Sequence, residues 1–213
     1  DNGYFANTRF YVGIGKRLKW PDDNFLINAQ INIENYRVQD YPGVVRLENN
    51  QSIGNGSFNN HALEITLSRT SINEPIFPTS GSTISVKGKF TPPYSLFSDE
   101  NIEDQSPEEK FNFLEYHKWR VDFDWYTPLV GKLVLRANAK IGILGYYNKE
   151  VGLIPFERFE VGGAGLNNQQ FGQIGREIIS TRGYEQEDFR VNNTGSLASV
   201  FDKFTLELRY PVS

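Results

Sequence analysis

Apolar and polar residues alternate along several stretches of the chain. In Leu133–Ile143 every odd-numbered residue is Leu, Ala or Ile, whereas the even-numbered residues include Arg136, Asn138 and Lys140. Side chains of a β-strand point alternately to the two faces of a sheet, so a repeat of two residues indicates a strand. This stretch is therefore predicted to form a strand with one apolar and one polar face.

The same pattern occurs six more times and predicts an all-β protein. Aromatic residues make up 14% of the chain, and most are Phe and Tyr, which favour strands over helices. Several stretches exceed the usual strand length of about five to six residues. The seven predicted strands are Tyr4–Trp20, Phe25–Ile33, Leu63–Leu67, Ile84–Phe90, Lys118–Tyr126, Leu133–Ile143 and Phe204–Tyr210.

The connections between these strands alternate in length. Short ones follow the first, third and fifth strands, at residues 21–24, 72–82 and 129–131. Long ones follow the second, fourth and sixth strands, at about residues 40–60, 92–115 and 147–199. In an antiparallel sheet this places the long loops at one end of the strands, as in outer-membrane barrels with short periplasmic turns and long extracellular loops.

Aromatic residues cluster near the predicted strand ends, where a transmembrane barrel has its interfacial girdles. We therefore predict an antiparallel transmembrane β-barrel whose apolar face meets lipid and whose polar face lines the lumen. The alternative is a soluble β-sandwich, in which the polar face would be ordinary solvent-exposed surface. The aromatic residues concerned are Trp20, Tyr36, Trp125, Tyr126, Tyr146 and Tyr210.

Seven strands would not close a barrel. Bacterial outer-membrane barrels have an even number of strands, about eight or more. An open edge in lipid would leave backbone groups unpaired, at a cost of several kcal/mol for each group. We therefore expect residues 1–213 to form an incomplete portion of a larger barrel.

Residues that could support catalysis or metal binding are few. The net charge of −4 argues against a nucleic-acid partner, and the absence of Cys excludes thiolate metal sites. His61 and His117 are far apart in the sequence and indicate no metal cluster. We predict no enzymatic activity, no metal and no cofactor.

One pair of carboxylates lies on a single strand face, as a catalytic pair would. Asp122 and Asp124 share that face with basic residues, and the next strand carries Arg136 and Lys140 on its polar face. We favour a salt-bridged charge ladder in the barrel lumen, formed by these four residues.

The turn at residues 129–131 predicts the register of this ladder. Gly131 is the third residue of a three-residue connection, the left-handed position of a type I turn followed by a bulge. Such a turn pairs Pro128 with Lys132 and places Asp124 directly opposite Arg136. It also places Arg120 opposite Lys140, an unfavourable pair of like charges.

The sixth connection is the longest and shows no strand alternation. It is rich in glycine, yet it also carries apolar residues such as Phe156 and Phe159. Loops of this length are normally functional or disordered. A purely exposed loop would have little use for these apolar side chains, so we expect the loop to pack against another part of the protein.

Three motifs follow one another in this part of the chain. They are "PFERFEVGGAG" (Pro155–Gly165), "STRGYE" (Ser180–Glu185) and "FTLELRYP" (Phe204–Pro211). In this order they resemble the BamA family of outer-membrane protein assembly factors, which belongs to the bacterial surface antigen superfamily. The resemblance is strongest over about Lys118–Ser213.

The resemblance implies a 16-stranded barrel, of which these seven strands would be the sixth to the twelfth. Residues 1–213 would be part of a C-terminal transmembrane barrel domain, and about 147–199 would be its sixth extracellular loop. Periplasmic POTRA domains would precede the barrel and are not present in this chain.

The resemblance also implies a function in the bacterial outer membrane. The family folds and inserts other barrel proteins without enzymatic chemistry, and a client strand pairs with an exposed barrel edge. The implied partners are other subunits of the assembly machinery, unfolded outer-membrane proteins and the lipid bilayer, with no nucleic acid. Alternatives are a TamA-like factor, a two-partner-secretion pore, and a passive porin or nutrient channel.

The family's loop carries an Arg-Gly-aromatic motif that folds back into the lumen. Arg182, Gly183 and Tyr184 match it, although Thr181 stands where the family has an aliphatic residue. By resemblance, Arg182 would be a charged anchor whose acidic partners lie on later strands, Gly183 would permit a tight turn, and Tyr184 would pack against the wall. The residues implied in loop packing are Phe156, Arg158, Phe159, Gly162 and Gly163.

Overall fold

The structure is a computed structural model that describes residues 3–43, 45–47, 51–97, 102–163, 175–189 and 197–211. Its largest element is a seven-stranded antiparallel sheet with the order β1-β2-β5-β6-β7-β8-β12. The strands are β1 (Tyr4–Arg17), β2 (Phe25–Gln39), β3 (Val45–Arg46), β4 (Ser52–Ile53), β5 (Gly56–Thr70), β6 (Gly81–Phe90), β7 (His117–Pro128), β8 (Val134–Gly145), β9 (Phe159–Val161), β10 (Glu177–Ile179), β11 (Leu197–Ala198) and β12 (Val200–Arg209).

All seven predicted strands belong to this sheet and follow one another in chain order, which confirms the predicted antiparallel topology. The largest differences from the predicted bounds are in two strands, because β2 continues to Gln39 and β5 begins at Gly56. In these extensions, positions at which the alternation would place an apolar residue carry a polar one, as at Asn35, Arg37 and Asn59. The opposite face is apolar there, as at Tyr36 and Phe58. The alternation is therefore reversed relative to the rest of each strand, and the pattern that marked the strand breaks off.

The long connections carry small elements of their own. The loop between β2 and β5 contains a hairpin of β3 and β4. The loop between β6 and β7 contains two 3₁₀ turns, Tyr94–Leu96 and Ile102–Asp104, and one α-helical turn, Pro107–Lys110. None of the described helical segments is long and apolar enough to cross a membrane.

Loop six, the connection between β8 and β12, shows no strand alternation in its sequence but contains three short strands. Within it, β9 pairs in parallel with β10 and antiparallel with β11. These strands have only two or three residues each, and so short a segment cannot display an alternating pattern.

The two faces of the large sheet differ as the alternation predicts. The outer face leaves large apolar side chains exposed, such as Phe10 at 64%, Ile14 at 77% and Leu206 at 75%. The inner face, defined here as the face that contacts loop six, is polar along most of its length. A buried apolar core covers its long-loop end, and its side chains come from the strands and from all three long loops: Tyr36, Val45, Ile53, Phe58, Ile102, Phe111, Leu114, Tyr116, Leu144, Val151, Ile154, Phe156 and Phe159.

The predicted register of β7 against β8 was wrong by two residues. Pro128 lies opposite Val134 instead of Lys132, and Asp124 lies opposite Asn138 instead of Arg136. Residues 129–133 connect the two strands, instead of the predicted 129–131.

The turn itself explains the error. Gly131 has a φ of 59° and follows Val130, whose carbonyl accepts a hydrogen bond from the Leu133 N–H at 3.0 Å. Gly131 is therefore the first central residue of the turn, the position that a type II′ turn gives to glycine. Leu133 also accepts a hydrogen bond from Leu129, so two residues face one, as in a β-bulge.

A shift of two residues leaves every side chain on its predicted face. It also removes the like-charge pair that the predicted register contained. Arg120 lies opposite Gly142, and Asp122 lies opposite Lys140.

Candidate functional site

The segment 154–160 of loop six is buried against the inner face. Phe156 is fully buried, and its ring stacks on Tyr36 with a centroid distance of 4.8 Å and contacts Phe58 at 5.0 Å. Phe159 is also fully buried and meets Phe201 of β12 edge-on at 4.7 Å. The two rings therefore join loop six to strands at opposite sides of the sheet.

Glu157 lies between these rings and is only 4% exposed. One carboxylate oxygen lies 2.5 Å from the Lys89 Nζ, and the other lies 3.2 Å from the Lys118 Nζ. Asn60 donates a third hydrogen bond at 3.3 Å. We call Asn60, Lys89, Lys118 and Glu157 the Glu157 cluster.

The charge of Glu157 follows from these contacts. Burial by itself would raise the pKa of the carboxyl group, because desolvation disfavours the charged form. The ammonium groups of Lys89 and Lys118 act in the opposite direction and more strongly, and they lower the pKa of Glu157 to about 2. Glu157 is therefore a carboxylate at neutral pH.

A second carboxylate lies on the wall beside the cluster. Glu34 of β2 lies 4.0 Å from the Lys89 Nζ and 3.0 Å from the Arg9 Nε, and it accepts a hydrogen bond from the Tyr36 hydroxyl at 2.5 Å. With Glu157 of loop six included, each buried charge of this group lies near a charge of opposite sign. This arrangement meets the requirement that buried charged groups be paired.

Closer to the short turns, the inner face carries the four residues predicted as a charge ladder. Asp122 forms ion pairs with Arg120 at 2.9 Å and with Lys140 at 3.9 Å, and Asp124 forms one with Arg136 at 2.6 Å. The structure brings these residues together, although Asp124 reaches Arg136 diagonally because of the register shift. The ladder also extends to β12, where Glu207 lies 3.1 Å from Arg136.

Through β10, loop six also contacts basic residues that lie beside this ladder. Glu177 of β10 forms an ion pair with Arg120 and lies 3.8 Å from Lys118. Together with Glu157, it gives the loop two carboxylates on the basic side chains of β6 and β7.

The Arg-Gly-Tyr motif forms a tight turn. The Tyr184 N–H donates to the Thr181 carbonyl at 3.3 Å, and Gly183 has a φ of 85°, a left-handed conformation that favours glycine. Gly163 binds both ends of the turn, since its N–H donates to Tyr184 at 2.9 Å and its carbonyl accepts from Thr181 at 3.2 Å. The "VGG" and "TRGY" motifs are therefore neighbours in space.

The side chains of this turn make few contacts. Arg182 is exposed, and among the described residues no carboxylate forms an ion pair with its guanidinium. Tyr184 is 60% exposed, and its ring lies 5.8 Å from Phe189 of the same loop instead of packing on the wall. The anchor function of Arg182 stays a prediction, because the later strands implied to carry its acidic partners are outside this chain.

Comparison with known proteins places the chain in a family. A family model described as the Omp85 superfamily domain matches residues 4–213. The chain belongs to the Omp85 superfamily. No curated protein sequence matches it.

The Omp85 domain is also similar in fold to a solved structure, the crystal structure of BamA from Haemophilus ducreyi lacking POTRA domains 1–3. The TM-score is 0.51 at 15% sequence identity, and the match covers 76% of this chain. It covers 29% of the BamA chain, so the chain spans less than a third of that protein. The fold is therefore that of part of a BamA-like barrel.

The sequence patterns gave no indication that Glu157 of this Omp85 domain would be a buried carboxylate. Glu157 lies inside the recognised "PFERF" motif, but nothing local distinguishes it from an exposed loop residue. The sequence nevertheless contained one indication that a carboxylate was needed. The alternation places Lys89 and Lys118 on the polar faces of successive strands, and buried lysines need a partner of opposite charge. Among the described residues, no group of three or more His, Cys, Asp and Glu is arranged to hold a metal ion.

Proposed function

We propose that this chain is part of a bacterial outer-membrane protein that folds and inserts other β-barrel proteins, without enzymatic chemistry. The observation that carries the proposal is the position of loop six, whose segment 154–160 is buried on the inner face. Membership of the Omp85 superfamily supports a function in the insertion or translocation of proteins.

The position of loop six is unfavourable for a passive porin or nutrient channel. Such a channel needs a continuous, water-filled lumen, and the inner faces of large porins accordingly remain open. Here the long-loop end of the inner face is covered by an apolar core that includes Phe156 and Phe159. We infer that the loop closes this end of the complete barrel.

The remaining features belong to the complete protein. Residues 1–213 would be part of a C-terminal barrel domain, about 147–199 would be its sixth extracellular loop, and POTRA domains would precede it. Client strands would pair with a barrel edge by β-augmentation. Its partners would be unfolded outer-membrane proteins, other subunits of the assembly machinery and the lipid bilayer.

An assembly assay tests the proposal directly. Purified full-length protein in lipid vesicles should accelerate the folding of a urea-unfolded barrel protein, measured as a heat-modifiable band on gels. Vesicles without the protein give the uncatalysed rate. Secretion of one specific partner without faster barrel folding would instead identify a two-partner-secretion pore and contradict the proposal.

Arg182 provides the matching test in cells. In a strain that depends on the full-length protein, Arg182→Ala should lower the levels of outer-membrane proteins, because the motif is proposed to fix the loop. Lys149→Ala, an exposed basic residue of the same loop, is the control and should have no effect. Equal levels in both variants would exclude an anchoring function for Arg182.

A further inference from the structure

The inner wall carries an unfavourable pair of charges. Lys89 of β6 and Lys118 of β7 lie directly opposite each other, and each is only 8% exposed. Like charges at opposite positions of neighbouring strands repel each other, and a buried ammonium group without a partner is costly. These two lysines therefore form a binding site for an anion that the wall alone fills only partly, through Glu34 at 4.0 Å from Lys89.

Loop six supplies the anion. The two carboxylate oxygens of Glu157 bind different lysines, at 2.5 Å and 3.2 Å, and Asn60 of β5 donates to the same carboxylate. A single side chain thereby connects the loop to three neighbouring strands. Charge-assisted hydrogen bonds of this kind are about twice as strong as neutral ones.

The loop backbone is bent to make this contact. Glu157 has a φ of 60°, a left-handed conformation that a residue with a Cβ adopts at a cost in free energy. Such a conformation persists only where the surroundings hold it. Here the neighbours of Glu157 hold it, because Phe156 and Phe159 are fixed in the apolar core on both sides.

We propose that Glu157 is a positioning residue whose carboxylate binds Lys89 and Lys118, fixes loop six on the inner wall and keeps the lumen of the complete barrel closed. This inference rests on the proposed function in one respect, since it takes the chain as part of a complete outer-membrane barrel. It does not require that the barrel assemble client proteins.

Single-channel recording of the full-length protein in planar lipid bilayers tests the closure. Glu157→Gln keeps the size of the side chain, removes its charge and leaves the two lysines facing each other. Its open probability should rise at least about tenfold over the unsubstituted protein, because removal of one partner from a buried ion pair is strongly destabilising. Glu150→Gln, an exposed carboxylate of the same loop, is the matched control and should behave as the unsubstituted protein does.

A disulfide in place of the Glu157 contact distinguishes an effect on channel closure from an effect on protein folding. The chain has no Cys, so the double variant Asn60→Cys with Glu157→Cys introduces a single pair into this part of the protein. When the pair is oxidised, the tether should restore the low open probability, and reduction in the same bilayer should raise it again. A merely structural function of Glu157 would lower the yield of folded protein without a reversible change in the channels that have inserted.

The outcomes are distinguishable. An unchanged open probability in Glu157→Gln, or an equal open probability in the oxidised and reduced tether, overturns the proposal. Measuring client folding in parallel distinguishes a failure of the closure proposal from a failure of the proposed assembly function. If Glu157→Gln opens but the unsubstituted protein does not assemble client proteins, the proposal on closure stands. Only the assembly function is then rejected.

Discussion

Loop six contains two short segments with a charged residue close to an aromatic one in the sequence. One segment is buried and the other is exposed. In the first, Phe156 and Glu157 are buried on the inner wall and contact residues of four strands, β2, β5, β6 and β7. In the second, Arg182 and Tyr184 are exposed at a turn that hydrogen-bonds to Gly163. Similar residue types thus have different environments within one loop.

Because one segment is buried and the other is exposed, we expect the two segments to have different functions. A buried carboxylate needs partners, so Glu157 determines where the loop lies and contributes to stability. An exposed guanidinium needs none, so Arg182 is free to bind a group outside this chain. We expect substitutions in the first segment to change stability, and those in the second to change function with little effect on stability.

The largest effect on stability is expected from Phe156→Ala. Its ring is fully buried between Tyr36 and Phe58, and removal of a buried Phe costs about 3–5 kcal/mol. Urea unfolding of the full-length protein in detergent micelles measures the change. Phe97→Ala, at an exposed position of another long loop, is the control and should stay within about 0.5 kcal/mol of the unsubstituted protein.

Acid should release the first segment only at very low pH. The pKa of Glu157 is lowered to about 2, so its stabilising contribution is complete above the ordinary carboxyl range and is lost as pH falls toward 2. A shift from 4.5 to about 2 corresponds to roughly 3 kcal/mol of stability.

Several charged and polar groups face Glu157, and the pH dependence tests the contribution of its carboxylate among them. Unfolding midpoints between pH 5 and about pH 2 should decline less in Glu157→Gln than in the unsubstituted protein, and equal declines would contradict the assignment. The charged and titratable groups concerned are Arg9, Glu34, Tyr36, Lys89, Tyr116 and Lys118.

A smaller effect is expected at the turn of the second segment. Gly183 has a φ of 85°, and a Cβ at this position would meet no atom within 4 Å, so Gly183→Ala introduces backbone strain alone. That strain costs about 1–2 kcal/mol, measured by the same urea unfolding. Gly54→Ala, at a glycine without positive φ whose Cβ would make only ordinary contacts, is the control. A loss equal to that of Phe156→Ala would show that the turn is packed as firmly as the first segment.

The smallest effect on stability is expected from Arg182→Ala. The side chain is exposed and forms no ion pair with the described residues, so the free energy of unfolding should change by no more than about 0.5 kcal/mol. The levels of outer-membrane proteins in cells should nevertheless fall, as proposed above. A large loss of stability in the full-length protein would instead place Arg182 in a buried contact and end the contrast between the two segments.

The amino-acid sequence was enough to predict the seven strands, their order and the faces of the residues in the predicted ranges. These features follow from an alternation that is local, because a strand has the same period wherever it lies in the fold. The alternating loop lengths and the three motifs of the last 96 residues, Lys118–Ser213, likewise pointed to the barrel family before any contact was known.

The tertiary structure decided the register of β7 and β8 and the partners of loop six. The register depends on which position of the turn Gly131 occupies, and a left-handed glycine fits either position. The Glu157 cluster joins residues 60, 89, 118 and 157, and no local pattern connects positions so far apart in the chain. Only the folded chain brings them within hydrogen-bonding distance, because their contact depends on the path of loop six across the inner wall.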